Sequence, residues 1–375
     1  MLSKDEIFRY DRQIKLSVMG ISGQLKLKHA KVLVIGAGGL GCPVLQYIAS
    51  AGIGSITIID GDLVSESNLQ RQILFSNEDL GKLKVNVAAK KLLKLNPHIK
   101  IHTVPEYLNS ELALTIINDF DLVVDCTDNF GTRYLINDVC TLYNKPFVSA
   151  AIHKFEGQIG VYNFQIDNMK NSANYRDVFS ETDKNKNSVN CEEAGVLSTL
   201  PGLMGLYQAN EIIKYFINPK TCCYNKILFI NSLSLEHFYF TTEKKEDTKY
   251  LKKDEILKHN YYLPCTKERQ ILTSPNELIN MITNNGFVLI DVREENELPK
   301  TLVANTLKIP LSILELQLDK IKSFDKIIFI CKSGVRSDKA LTLLKQKFTD
   351  IDIYSFKPGI EILNNYLSQT KTQII

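Results

Sequence analysis

Three groups of residues in this 375-residue chain have the types and spacing to do chemistry. The first is Gly36, Gly38 and Gly41, a G-x-G-x-x-G run with Gly39 inside it, directly after the apolar stretch KVLVI. Such a run lets bare backbone N–H groups and a helix N-terminus approach phosphate. Asp60, about 20 residues on, stands where an acid would hold ribose hydroxyls. These residues specify a nucleotide without saying which one. The second group, Arg71 in NLQRQ, Lys84 in GKLK and Asp128 in DCTDN, narrows the choice. A dinucleotide's pyrophosphate is largely handled by backbone N–H groups and has little need of two further cations. A triphosphate that loses pyrophosphate does need them, because charge builds on its oxygens and must be met by Arg, Lys and a metal. Asp125 and Asp128 close an apolar strand, the end at which open α/β sheets bind ligands. Both are therefore expected to face the crevice, with Asp128 the candidate Mg²⁺ ligand. Taken singly, Asp128 would be a helix N-cap; beside Arg71 and Lys84 it favours ATP.

The third group is KIIFICKSGVRS, residues 326–337. A cysteine straight after a buried strand, followed by a short loop that ends in Arg336 and enters a helix, is an anion cradle. Successive N–H groups point inward, and Lys332 and Arg336 are expected to add positive charge. That setting lowers a thiol pKa and stabilises a thiolate or persulfide on Cys331. The C-x4-R spacing is one residue shorter than the C-x5-R loop that fits a tetrahedral phosphate, and it suits a sulfur atom. Cys191 follows a polar stretch and precedes an apolar helix, so it is open between a nucleophile and a plain structural thiol. Cys42, Cys126 and Cys140 lie in apolar runs where burial is the default, and the adjacent Cys222 and Cys223 read as structural. No C-x-x-C pair occurs, and in a chain with no export signal the cysteines are expected to be thiols rather than disulfides.

The elements that must position these groups follow from hydrophobic patterning. Strands are expected at 32–36, 56–60, 121–125 and 147–151, with helices at 40–52, 80–95 and 134–144 between them. Strands without polar alternation, separated by helices, argue a parallel sheet covered on both faces. Residues 158–164 read as a strand outside that alternation, 197–217 as a long helix and 226–231 as a strand. The polar stretch 168–190 reads as a mobile crossing loop, and the charged segment from 242 as the start of a linker reaching 269. From 270 a smaller α/β unit is expected, with helices at 274–284 and 336–348 and strands at 288–292, 326–330 and 353–356. A 44% hydrophobic, 23% charged composition with net charge +3 gives no reason to propose nucleic acid or membrane as partner. The N-terminus lacks an apolar export segment and no apolar run approaches a membrane span, so a cytoplasmic protein is expected.

The motifs RYDRQ (9–13), GAGGLG (36–41), DGD (60–62), SNLQRQ (67–72), GKLK (81–84), DCTDN (125–129) and CEEAGV (191–196) occur in the order found in the ubiquitin-activating-like adenylyltransferases. Residues 1 to 241 resemble those that act on sulfur-carrier proteins in molybdopterin and thiazole synthesis. The resemblance implies a Rossmann-like α/β domain with a doubly wound, mostly parallel sheet. It implies ATP-dependent adenylylation of the C-terminal Gly-Gly carboxylate of a ubiquitin-like carrier, with release of pyrophosphate. Asp60 would bind the ribose; Asn68, Arg71 and Lys84 the phosphates; Asp128 the Mg²⁺. Arg12 would reach across a homodimer to the partner's ATP. Many relatives hold zinc with two C-x-x-C pairs; here NYRD, Asn174 to Asp177, takes the place of the first pair and only Cys265 stands near the second, so no zinc is expected. Residues 270–375 resemble a rhodanese domain, with LIDVRE as a second hallmark in which Asp291 and Arg293 form a structural ion pair. It departs from the pattern where ELPKTLVANTLKIP lacks a Gly-His-Ile and where KPGIEIL replaces a common Gly-Gly and Trp.

Together the two domains imply one pathway: carboxylate activation as an acyl-adenylate, then attack by a Cys331 persulfide, loaded by a persulfide sulfur donor, to leave a thiocarboxylate. Two alternatives stand beside it. One is a conjugation activator forming a thioester at Cys191, and the other an ATP-binding module without catalysis.

Overall fold

The computed structural model describes residues 1–167, 170–179, 195–261, 271–345, 347–348 and 351–370. The chain divides into two compact units, Met1–Cys265 and Thr266–Ile375.

Strands of the first unit are β1 Lys31–Ile35, β2 Ser55–Ile59, β3 Lys100–Val104, β4 Leu122–Asp125, β5 Phe147–His153, β6 Glu156–Tyr162, β7 Lys226–Asn231 and β8 His237–Thr241. They form one sheet in the order β3-β2-β1-β4-β5-β6-β7-β8. The run from β3 to β5 is parallel, and β6, β7 and β8 continue it antiparallel. Alternate residues of β1 and β4 feed two separate cores. Val32, Val34, Leu122 and Val124 pack with the helices Gly41–Ala51, Lys84–Leu95 and Thr199–Ile217 on one face. Leu33, Ile35 and Val123 pack with Ser110–Ile116 and Phe130–Leu142 on the other. Both faces are covered, which is why these strands read as continuous apolar runs. Each fully buried Val or Leu of that kind contributes about 1.5–3 kcal/mol. The strand outside the simple alternation is β6, the point at which the sheet turns antiparallel.

Three sequence expectations need correction. The helix expected at 80–95 begins only at Lys84, because Leu83 is drawn into a bridge with Leu63. Within the polar stretch 168–190, residues 170–179 are an ordered, buried piece: Ser172, Asn174, Tyr175 and Asp177 are each 1% exposed. The side chains of Ser172, Asn174 and Asp177 bond neighbouring backbone and Thr248, so low hydrophobicity does not mean mobility there. The charged segment from 242 does not act as a free linker over its first part. Its helix Lys253–Lys258 buries Ile256 in the second core, where Leu251 and Tyr261 also pack.

The second unit is a five-stranded parallel sheet, order β11-β10-β12-β13-β9, from β9 Ile271–Leu272, β10 Val288–Asp291, β11 Leu307–Lys308, β12 Lys326–Ile330 and β13 Asp352–Phe356. Helices Pro275–Asn285 and Ile360–Thr370 lie on one face and Val335–Lys345 on the other. No helix among the described residues is long and apolar enough to cross a membrane.

Candidate active sites

The nucleotide crevice starts where β1 ends. Gly36 has φ +97°, and a Cβ there would lie 2.7 Å from the Cys126 carbonyl oxygen; one on Gly41 would lie 2.1 Å from that of Gly36. Only glycine closes this turn. Gly38 is open by contrast, its nearest neighbour being Gln72 Nε2 at 3.6 Å from a Cβ position. The N–H groups of Gly38, Gly39, Leu40 and Gly41 find no acceptor among the described residues. They form a bare phosphate seat at the N-terminus of the helix Gly41–Ala51. Asp60 is held beside it, accepting from the Ala37 N–H at 2.7 Å and the Asp62 N–H at 2.8 Å. Burial pushes the Asp60 carboxyl above the usual carboxylate range, against the pull of those two N–H groups.

Lys84 opens its helix and is 3% exposed, its Nζ 2.6 Å from Asp62 Oδ2. The Tyr107 hydroxyl donates to the other Asp62 oxygen at 2.5 Å. Partial burial raises the Asp62 carboxyl, but Lys84 and Tyr107 outweigh it and hold the group below its ordinary range. The Tyr107 ring lies over Gly61, and the Asp62 carboxylate pushes its hydroxyl up to about 12. Arg71 Nη1 donates to the Ser67 carbonyl at 3.2 Å, and its Cγ lies 3.6 Å from a Cβ position on Gly39, over the glycine turn. Asn68 accepts from Gln72 Nε2 at 2.8 Å and donates to Ser65 Oγ at 2.6 Å.

Asp125 departs from expectation. It is fully buried, accepting from the Thr127 N–H at 3.0 Å, Thr127 Oγ1 at 2.6 Å and Ser149 Oγ at 2.5 Å, with Arg133 Nε at 3.2 Å. It does not face the crevice; it ties the end of β4 to β5 and to the helix beyond. Asp128 remains exposed with no hydrogen-bond partner among the described residues. The N-cap of the following helix is Asn129, which accepts from the Thr132 N–H at 2.8 Å, so capping does not account for Asp128. Arg12 lies exposed in the helix Asp11–Ile14, outside the hydrogen bonds of this cluster. Cys191 and Cys265 lie outside the described residues. Cys42, Cys126, Cys140, Cys222 and Cys223 are buried free thiols, and burial raises all five pKa values.

In the second unit Cys331 follows β12, 1% exposed, with Sγ 3.5 Å from Ser337 Oγ. The N–H groups of Lys332 to Arg336 have no acceptor among the described residues. The back of this loop rests on the KPG turn: Ile360 N–H donates to the Cys331 carbonyl at 3.0 Å, and a Cβ on Gly359 would sit 2.0 Å from the Lys332 carbonyl oxygen. Asp291 and Arg293 form the buried structural pair expected of them, Nη2 to Oδ2 at 2.8 Å. Arg336 is the correction here. Its charge is not left to the loop, because its guanidinium forks onto Glu297 at 2.5 and 2.8 Å and holds that carboxyl down at about 2. Lys332 is exposed without a partner among the described residues. Tyr107 and Glu297 are the site residues that sequence reasoning missed; neither sits in a motif that would have flagged it.

Residues 10–251 match the model of the ThiF family. The chain belongs to the ThiF family. Residues 274–362 match the rhodanese-like domain. Among relatives, a "probable molybdopterin-synthase adenylyltransferase" of Pyropia yezoensis is 39% identical, covering 97% of this chain and 95% of its own. The "adenylyltransferase and sulfurtransferase MOCS3" of Drosophila virilis is 33% identical over 98% of this chain and 86% of its own. The crystal structure of E. coli MccB with succinimide superposes with a TM-score of 0.57 at 26% identity, covering 64% of this chain and 74% of that one. This ThiF-family chain thus joins an adenylyltransferase module to a sulfurtransferase module, and it is an enzyme.

Proposed function

We propose that the enzyme uses ATP to adenylylate the C-terminal Gly-Gly carboxylate of a ubiquitin-like sulfur-carrier protein, then transfers sulfur to it from a Cys331 persulfide. One observation carries this reading: each unit presents a loop of unpaired N–H groups, one beside Asp60 and one around a cysteine.

In the first unit, Asp60 would receive the ribose hydroxyls and the N–H groups of residues 38–41 the phosphates. Arg71 lies over the same turn, and Lys84 needs only to leave Asp62 to meet phosphate oxygens. Asp128 is an unengaged carboxylate suited to Mg²⁺ shared with the triphosphate, and that ion would supply charge neutralisation there. The carrier carboxylate attacks the α-phosphate and pyrophosphate leaves. Arg71 and Lys84 stabilise the negative charge that grows on the leaving group. In the second unit the loop N–H groups hold the Cys331 persulfide as an anion. Its outer sulfur attacks the carbonyl of the acyl-adenylate and AMP departs with the electron pair; a thiol reductant then attacks Cys331 Sγ, the S–S bond breaks to release the thiocarboxylate, and a second thiol reduces the disulfide left on Cys331.

A homodimer in which Arg12 serves the partner's ATP is part of the proposal, supported by the exposed Phe8, Leu16 and Ile21 near it in sequence. A cytoplasmic setting and a protein persulfide donor complete it. The test is ATP–pyrophosphate exchange with candidate carriers ending in Gly-Gly. Exchange that requires a carrier and fails in Asp128→Ala is expected; exchange with no carrier dependence contradicts the proposal.

A further inference from the structure

Arg336 and Glu297 stand 39 residues apart in sequence and meet in a two-point ion pair at the rim of the Cys331 loop. Glu297 comes to that pair already oriented. Its Oε1 also accepts from the Glu294 N–H at 2.9 Å, and Glu294 is itself held by Ser312 Oγ at 3.0 Å. Both partners are about a third exposed, 32% for Arg336 and 30% for Glu297, so the pair borders the mouth of the loop and not its floor. The only side-chain cation within the loop that lacks a counter-charge among the described residues is Lys332, which is exposed. Unpaired N–H groups and the one uncompensated cation, Lys332, match a single anionic charge; a dianion calls for a second uncompensated cation, which the pairing of Glu297 with Arg336 withholds.

We propose that Glu297 is a specificity-determining residue of the sulfurtransferase site. By occupying the Arg336 fork it keeps the cradle fit for a singly charged persulfide sulfur and unfit for free dianionic donors such as thiosulfate. The inference rests on the assignment of Cys331 as the sulfur carrier and adds the residue that restricts which donor can load it. A donor that delivers sulfur without bringing two charges to the loop mouth, such as the persulfide of another protein, is the kind this site admits. A thiosulfate ion would have to compete with Glu297 for the guanidinium before it could be held.

Thiosulfate is the probe that separates the possibilities. The Cys331 thiolate attacks its outer sulfur, the S–S bond breaks, and sulfite leaves with the electron pair. Cyanide then takes the outer persulfide sulfur as thiocyanate and returns the thiolate. In the full chain, Glu297→Gln is expected to lower the KM for thiosulfate by roughly five- to tenfold, the scale of uncovering one charge near a dianion at a partly exposed site. Glu297→Ala should shift KM in the same direction, and Glu297→Asp, which keeps the charge, should stay near wild type. In an Arg336→Gln background the Glu297→Gln substitution should have no effect, since no guanidinium is left to release. An unchanged or raised KM in both charge-removing variants, or an equal fall without Arg336, overturns the proposal. Wild-type protein that gains no sulfur on Cys331 by mass spectrometry from thiosulfate or from a low-molecular-weight persulfide overturns the assignment of Cys331 itself, a distinguishable result.

Discussion

Lys84 shows how a single residue would be prepared for the proposed task. Its Nζ, on a side chain only 3% exposed, lies 2.6 Å from Asp62, and Tyr107 steadies that carboxylate from its other side. Replacing a buried cation by an apolar side chain of similar length is well tolerated, whereas leaving it without its partner is not. Lys84→Met is therefore expected to melt near wild type while losing about a hundredfold or more of ATP–pyrophosphate exchange. Asp62→Asn, which strands the ammonium, should cost about 1–3 kcal/mol in urea denaturation. The cysteines give a second prediction. Burial raises Cys222 to about 12 and Cys223 to about 11, so both are neutral thiols at pH 8. Iodoacetamide at that pH should leave them unmodified in the folded protein and label them in denaturant; labelling in the native state would contradict their packing.

At the scale of elements, the glycine turn and the Asn174–Asp177 segment carry different loads. A methyl on Gly41 collides with the Gly36 carbonyl, whereas one on Gly38 meets no atom closer than 3.6 Å. Gly41→Ala should destabilise the fold, and Gly38→Ala should leave melting almost unchanged while raising the KM for ATP, because its methyl enters the phosphate seat. Where NYRD stands, Asn174 and Asp177 cap one another, and Asp177 also accepts from Thr248 Oγ1 at 2.5 Å. Arg176 forks onto Asp138, which Tyr261 also bonds at 2.5 Å. These hydrogen bonds clasp the charged 245–261 segment to the rest of the first unit. Asp177→Ala, which orphans buried donors, should cost about 2–3 kcal/mol, and a strong chelator should leave the melting temperature unmoved. A melting point lowered by chelation would show that metal takes part.

The same elements mark what the sequence could reveal. The glycine turn, Asp60 and the Cys331 loop were legible because each is a local pattern of strand, turn and helix. Asp125 misled because its burial is set by Arg133 and Ser149 from other elements, which no motif records. Edge strands β3 and β8 were hidden for a related reason. The first is only half buried and the second wholly exposed, so neither carries the apolar run that burial on two faces imposes.

At the scale of the whole molecule, two units with separate cores divide the work of activation and sulfur transfer. The division predicts separable losses: variants of the nucleotide crevice should lose both products, and variants of the cysteine loop only the second. The most direct test follows the carrier itself. Wild-type enzyme and Cys331→Ala would each be given ATP, a Gly-Gly carrier and a persulfide source, and the carrier's mass and the release of pyrophosphate would be read together. The account predicts pyrophosphate release by both and carrier thiocarboxylate from the wild type alone. Thiocarboxylate formed at the wild-type rate by Cys331→Ala would contradict it.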